Sequence, residues 1–188
     1  MELDLTIEKI NSFNSINSLY NHYAYKKKTL NILIIDDDEN VSTMLEDYLS
    51  LRGHYVEIVC EGTRGITKNN LKKYDIIFID YHLDNDLPPN ISKNNLNKDN
   101  ILTGATVSEI INLQKNEKNE SIIFGYTGDS TKNAINKFKS SGADGIIFKP
   151  LEPEIFDKLM FNIESSRQFD KNSISNAFRS LRDNIIIF

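Results

Sequence analysis

Four carboxylates in a row, Asp36-Asp37-Asp38-Glu39, follow directly on the apolar stretch Ile32-Leu33-Ile34-Ile35. An apolar run of that kind reads as a strand buried on both faces, and it delivers its acidic followers to one end of a sheet. Like charges gathered there repel unless a cation joins them. Three further apolar runs lead to residues of equally pointed chemistry. Ile76–Ile79 ends on Asp80, Ile122–Phe124 leads to Thr127 and Gly128, and Ile146–Phe148 ends on Lys149-Pro150. Two or three aspartate oxygens, a backbone carbonyl and waters form the hard oxygen set that Mg²⁺ accepts while leaving room for phosphate oxygens. A hydroxyl and an ammonium can hold the remaining phosphoryl oxygens, and positioning with electrostatics supplies most of the catalysis when a carboxylate attacks phosphorus.

Taken singly, each of these groups has a plainer explanation. An acidic run before a helix caps it and favours its dipole, Asp80 alone is an N-cap or loop carboxylate, Thr127 a turn residue, and Lys149 a solvated cation. Their joint placement at strand ends is what points to a site, because ligands of open parallel sheets bind outside the carboxyl ends of the strands.

The elements that would position them alternate. Ile32–Ile35, Tyr55–Val59, Ile76–Ile79, Ile122–Phe124 and Ile146–Phe148 have strand length and β-branched or aromatic content. Between the first two, Val41, Met44, Leu45, Tyr48 and Leu49 follow the spacing of one helix face, with Gly53 just past its end. Similar spacing marks helices around Val107, Ile110, Ile111 and Gln114, around Ala134, Ile135 and Phe138, and around Ile155, Phe156, Leu159, Met160 and Ile163, where Pro153 suits the first turn. Thr63 to Leu71 has only Ile66 and Leu71 as apolar anchors, but the alternation requires a crossover there. Repeated strand–helix alternation implies an α/β fold, a doubly wound parallel sheet with helices on both faces.

Composition narrows the partners. A net charge of −5 and a pI near 5.3 argue against a surface that neutralises nucleic-acid phosphates. Cys60 stands alone, so neither a disulfide framework nor a cysteine-based zinc site is expected, which suits a reducing cytoplasm. No stretch reaches membrane-span length and the first residues lack a secretory signal, so the expectation is a cytoplasmic protein without a membrane partner.

Ile32-Leu33-Ile34-Ile35-Asp36-Asp37-Asp38, Ile76-Ile77-Phe78-Ile79-Asp80, Phe124-Gly125-Tyr126-Thr127-Gly128 and Gly142-Ala143-Asp144-Gly145 leading to Lys149-Pro150 together resemble the receiver domain family of two-component response regulators, over residues 30–163. The resemblance implies a flavodoxin-like five-stranded sheet of order 2-1-3-4-5, with Asp80 as phosphoacceptor and Asp36 and Asp37 as the acid pair that holds Mg²⁺ with Asp80. It also implies that Thr127 and Lys149 bind the phosphoryl group and that the backbone carbonyl of His82 reaches the metal. The His82 side chain would border the path of attacking water, so His82, with Gly128 and Ile146, is expected to modulate the site. The Lys149–Pro150 bond is often cis in the family. Asp38 and Glu39 are expected to begin the following helix.

The sequence also departs from the family pattern. Where members commonly carry an aromatic residue three before the lysine, this chain has Ile146. The glycine that usually stands eight residues past the phosphoacceptor is Gly104, 24 past Asp80 (104 − 80), so roughly sixteen residues are inserted at about 84–100, against ~2–6 for an ordinary βα loop. Residues 1–29 form an N-terminal extension with Leu5, Ile10, Phe13, Ile16 and Leu19 at loose helical spacing. Residues 164–188 form a C-terminal extension, expected to be helical from Ile174, Ala177, Phe178 and Leu181, that finishes on Ile185-Ile186-Ile187-Phe188.

The function expected is therefore a phosphoprotein of a two-component system, a stand-alone regulator or phosphorelay intermediate and not a turnover enzyme. It would take its phosphoryl group from a histidine kinase or histidine phosphotransfer protein and alter affinity for a downstream protein. Two alternatives use the same residues. One is a receiver-like binding module that works without phosphorylation; the other is a haloacid-dehalogenase-like phosphatase with Asp36 as nucleophile, in which Asp80 would be idle.

Overall fold

A computed structural model describes residues 29–71, 73–83, 103–113, 121–150, 152–165 and 185–188. The inserted segment 84–100, residues 1–28 of the N-terminal extension, Gln114 and tail residues 166–184 lie outside the described residues. Strands β1 (Asn31–Ile35), β2 (Tyr55–Val59), β3 (Ile76–Ile79), β4 (Ile122–Thr127) and β5 (Gly145–Phe148) alternate with helices α1 (Glu39–Leu51), α2 (Gly62–Leu71), α3 (Gly104–Leu113), α4 (Lys132–Ser140) and α5 (Pro153–Ser165). The parallel strands stand in the order 2-1-3-4-5 that the resemblance implied, with β4 running three residues further than its apolar run suggested.

The sheet sorts its side chains by the two-residue period of a strand. Ile32, Ile34, Phe78, Phe124, Tyr126 and Ile147 pack with Leu45, Leu49, Phe156 and Leu159 of α1 and α5. On the other face Leu33, Ile35, Ile77, Ile79, Ile123 and Ile146 pack with Val107, Ile111, Ala134 and Phe138 of α3 and α4. Both faces of β1, β3 and β4 are therefore dry, which explains why their sequences read as unbroken apolar runs. Each fully buried Ile or Phe contributes about 1.5–3 kcal/mol of transfer free energy.

The scarce apolar anchors of α2 have a local cause. A Cβ on Gly65 would lie 2.4 Å from Cδ1 of Ile35, so the helix approaches β1 through a glycine and needs fewer large residues to cover it. Gly53, at φ +87°, adopts the left-handed conformation just beyond the α1 cap at Arg52. Arg52 reaches Asp157 and Glu164 of α5, and the buried His54 ring meets Glu164 at 2.9 Å, so a polar network joins the end of α1 to α5.

The helical expectation for the C-terminal extension rests on Ile174, Ala177, Phe178 and Leu181, which lie outside the described residues, and the last residues take another form. Ile185–Ile187 form a strand, β6, which pairs antiparallel with β5 and makes the sheet six-stranded among the described residues. A run of β-branched isoleucines fits a pleated, half-buried edge better than a helix.

Candidate functional site

Strand register sets the site. Ile35 lies opposite Ile79, so the next residues, Asp36 and Asp80, emerge side by side from β1 and β3. The ladder holds each in place: the Asp36 amide donates to the Val59 carbonyl at 3.1 Å and the Asp80 amide to the Ile35 carbonyl at 2.8 Å. Oxygens of Asp36, Asp37 and Asp80 lie within 4.8 Å of one another. Asp38 turns away from them, and its carboxylate accepts from the amides of Asn40 and Val41 as the N-cap of α1. The acidic run thus divides as expected between cleft and helix cap, with Glu39 in the first turn.

Lys149 arrives from the far side. Its Nζ donates to Oδ2 of Asp36 at 2.7 Å and to Oδ1 of Asp80 at 2.8 Å, and it sits 5.1 Å from the centre of the Tyr126 ring. The Lys149 amide donates to the carbonyl of Thr127 at 2.9 Å, so the ammonium and the hydroxyl are fixed to one another through the β4–β5 ladder. The Lys149–Pro150 peptide is cis.

Burial and pairing oppose one another in this cleft. Burial raises the pKa of Asp36, which is 1% exposed, and the bond from Lys149 does not fully offset it. Burial by itself would lower the pKa of Lys149, but its bonds to Asp36 and Asp80 outweigh that and leave it raised. Among the described residues the Lys149 ammonium bridges two of the three clustered carboxylates, and the three together form a set of hard oxygens that suits a divalent cation.

The remaining sequence-derived residues fall as follows. Thr127 is fully buried; its Oγ1 accepts from the Asp129 amide at 3.1 Å, which leaves its hydroxyl proton available to another acceptor. An added Cβ at Gly128 would meet nothing within 4 Å, so this position offers space above the cleft. The His82 amide donates to Oδ2 of Asp80 at 2.8 Å, while its side chain, 60% exposed, lies 3.3 Å from Asp129 across the cleft. Ile146 is locked in the α3/α4 core and does not face the carboxylates as a ring could.

Three residues of the site escaped the sequence reading. Tyr126 supplies the aromatic face beneath Lys149; it lies in the extension of β4 beyond its apolar run, where an aromatic residue reads as core. The Thr131 side chain, and then its amide, hydrogen-bond to Asp129 and, with burial opposing, hold its pKa below the usual carboxylate range. Tyr81, buried beside His82 and Phe138, carried no sequence signal of its own. Gly104, at the start of α3, lies against the Asp80 backbone. A Cβ there would lie 1.8 Å from the Asp80 carbonyl oxygen, and the Gly104 amide donates to the Tyr81 carbonyl at 3.0 Å.

The residue pattern of the response regulator receiver domain matches residues 32–160. Among full-length proteins, the chain is similar to the CAI-1 autoinducer sensor kinase/phosphatase CqsS of Vibrio cholerae, 22% identical over 124 residues that make up 66% of this chain and 16% of the kinase. The fold is also that of the V. cholerae chemotaxis protein CheY4, with TM-score 0.55 and 22% identity, covering 70% of this chain and 95% of that one. A two-component response regulator from Clostridium difficile superimposes with TM-score 0.56 at 21% identity, covering 83% and 100% of the respective chains. A Burkholderia pseudomallei response regulator, solved with a phosphorylated aspartic acid and a calcium ion, gives 0.55 at 20% identity over 81% and 75%. The chain belongs to the family of response regulator receiver domains.

Proposed function

We propose that this receiver accepts a phosphoryl group from a phosphohistidine protein onto Asp80, with Mg²⁺ held by Asp36, Asp37, Asp80 and the backbone carbonyl of His82. The observation that carries the reading is the meeting of three carboxylates, with oxygens within 4.8 Å of one another, with the Lys149 ammonium bonded to two of them. The B. pseudomallei relative with its phosphorylated aspartate and calcium ion supports it.

In the transfer, an Asp80 carboxylate oxygen bonds to phosphorus as the phosphorus–nitrogen bond of phosphohistidine breaks. The electron pair returns to the imidazole, which takes up a proton from solvent, and Asp80 becomes an acyl phosphate. When bound, Mg²⁺ supplies positive charge to the phosphoryl oxygens. Lys149, already at Asp80, moves its hydrogen bonds from carboxylate to phosphoryl oxygen, and the free hydroxyl proton of Thr127 serves a second oxygen. His82, leaning toward Asp129, borders the route by which water would hydrolyse the product. The doubly negative group recruits Thr127 and Lys149, and through them β4 and β5, and so alters the affinity for a downstream protein.

The test is transfer from a phosphorylated histidine phosphotransfer protein to the full chain in the presence of Mg²⁺. Native chain is expected to take up one phosphoryl group and Asp80→Asn none, and an unlabelled native chain contradicts the proposal. Equal labelling of Asp80→Asn, or continuous turnover of a phosphate ester that depends on Asp36, contradicts the proposal.

A further inference from the structure

β5 is flanked by β4 on one side and β6 on the other, so the edge that five parallel strands alone would leave open is covered by Ile185–Phe188. The fit is specific. Gly145 pairs with Ile187, Ile146 with Ile186 and Ile147 with Ile185, and the Phe188 amide donates to the Asp144 carbonyl at 3.1 Å. Gly145 permits this closeness, since a Cβ there would lie 2.5 Å from the Ile186 carbonyl oxygen and 2.9 Å from Cδ1 of Ile187. Side chains dock on both sides of the sheet. Ile185, 6% exposed, and Ile187 join the α1/α5 core, while Phe188 packs on the α3/α4 core with Lys139 Nζ 5.9 Å from its ring centre.

That occupant is short. β6 has three residues where the parallel strands have four to six, and Ile186, Ile187 and Phe188 stay partly exposed. Short edge strands with little buried surface are the first parts of a sheet to open.

We propose that the β5 edge is a strand-docking site in which Ile185–Phe188 is a resident ligand, displaced by an extended partner segment that runs antiparallel to β5 with branched apolar residues at alternate positions. Main-chain bonds to β5 supply affinity, and the places now taken by Ile185, Ile187 and Phe188 supply selectivity. Because the resident is part of the same chain, its effective concentration is high, and the edge stays closed to a free competitor until the tail is weakened. The site is separate from the carboxylate cleft and does not depend on phosphorylation, although β5 continues directly into Lys149.

A fluorophore-labelled peptide with the sequence of residues 183–188 is titrated, without metal or phosphoryl donor, into the native full chain and the full chain carrying Ile185→Ser and Ile187→Ser. The substituted chain is expected to bind saturably and at least about tenfold tighter than native, and further substitution of Gly145→Val to remove the binding. Equal binding to both chains, no binding to the substituted chain, or binding that survives Gly145→Val overturns the proposal. Hydrogen exchange of the native chain gives a reading free of any folding defect in the variants. The Phe188 amide is expected to exchange at least about tenfold faster than that of Ile123 in β4, and equal protection overturns the proposal.

Discussion

Lys149 neutralises only part of the charge it touches, and the two ends of its bonds are expected to respond oppositely to substitution. Lys149→Met would strand Asp36 and Asp80 without their counter-charge. With the lysine side chain still 18% exposed, the expected loss is about 1–3 kcal/mol in urea unfolding without divalent cation, below the cost for a fully buried pair. An unchanged midpoint would contradict the role given to Lys149. Asp36 has the reverse sign. Burial raises its folded pKa above the ordinary carboxylate value, so its ionised form costs stability at every pH above that value, and the cost vanishes only in acid. Asp36→Asn should therefore fold at least as stably as the native chain at neutral pH while losing the metal; a destabilised variant would count against this reading. These four site residues, Asp36, Asp37, Asp80 and Lys149, were visible in the sequence because each stands next to a strand end. Tyr126 was not, because an aromatic in an apolar strand looks the same whether it serves the core or a neighbouring ammonium.

At the scale of elements, the start of α3 is pinned against the site by a missing side chain. Gly104→Ala would place a Cβ 1.8 Å from the Asp80 carbonyl oxygen, against rigid backbone. The expected cost is about 1–3 kcal/mol, with slower labelling of Asp80, as measured by unfolding and by phosphoryl uptake. A variant equal to native in both would refute the tight contact. Tyr48 of α1 and Tyr74 before β3 make a second prediction. Burial and the bond to Asp157 push Tyr48 up to about 12, and burial with a 2.7 Å bond to Glu57 raises Tyr74 further. A raised folded pKa means that the contribution is whole below the unfolded value of about 10 and is lost as pH climbs above it. Absorbance titration of the native chain against Tyr48→Phe and Tyr74→Phe should show each substitution removing a component that ionises only well above pH 10 or with unfolding, and removal of a component titrating at about 10 would contradict it. Periodicity revealed α1, α4 and α5 because each turns one apolar face to the sheet. α2 was nearly illegible, since Gly65 lets it approach Ile35 with little apolar content of its own.

For the whole molecule, the parallel order 2-1-3-4-5 brings four strand ends to one cleft, where oxygens of three carboxylates lie within 4.8 Å of one another. Mg²⁺ should therefore stabilise the folded chain. At ten times its dissociation constant the gain is about 1.4 kcal/mol, read as a raised unfolding midpoint that Asp37→Ala abolishes. A midpoint indifferent to Mg²⁺ would argue that the cluster holds no cation. The alternation of apolar runs and amphipathic segments made the five-stranded architecture readable, because a parallel sheet needs a crossover between every pair of strands. The sixth strand was hidden, since three isoleucines acquire a partner only when the β5 edge exists to receive them. The central claim is that Asp80 is the residue modified. Incubation of the full chain with Mg²⁺ and acetyl phosphate, borohydride reduction of the resulting acyl phosphate and peptide mapping tests it directly. The account predicts reduction at Asp80 alone, dependent on Mg²⁺; an unmodified chain, or modification at Asp36 or Asp37 with Asp80 intact, would contradict it.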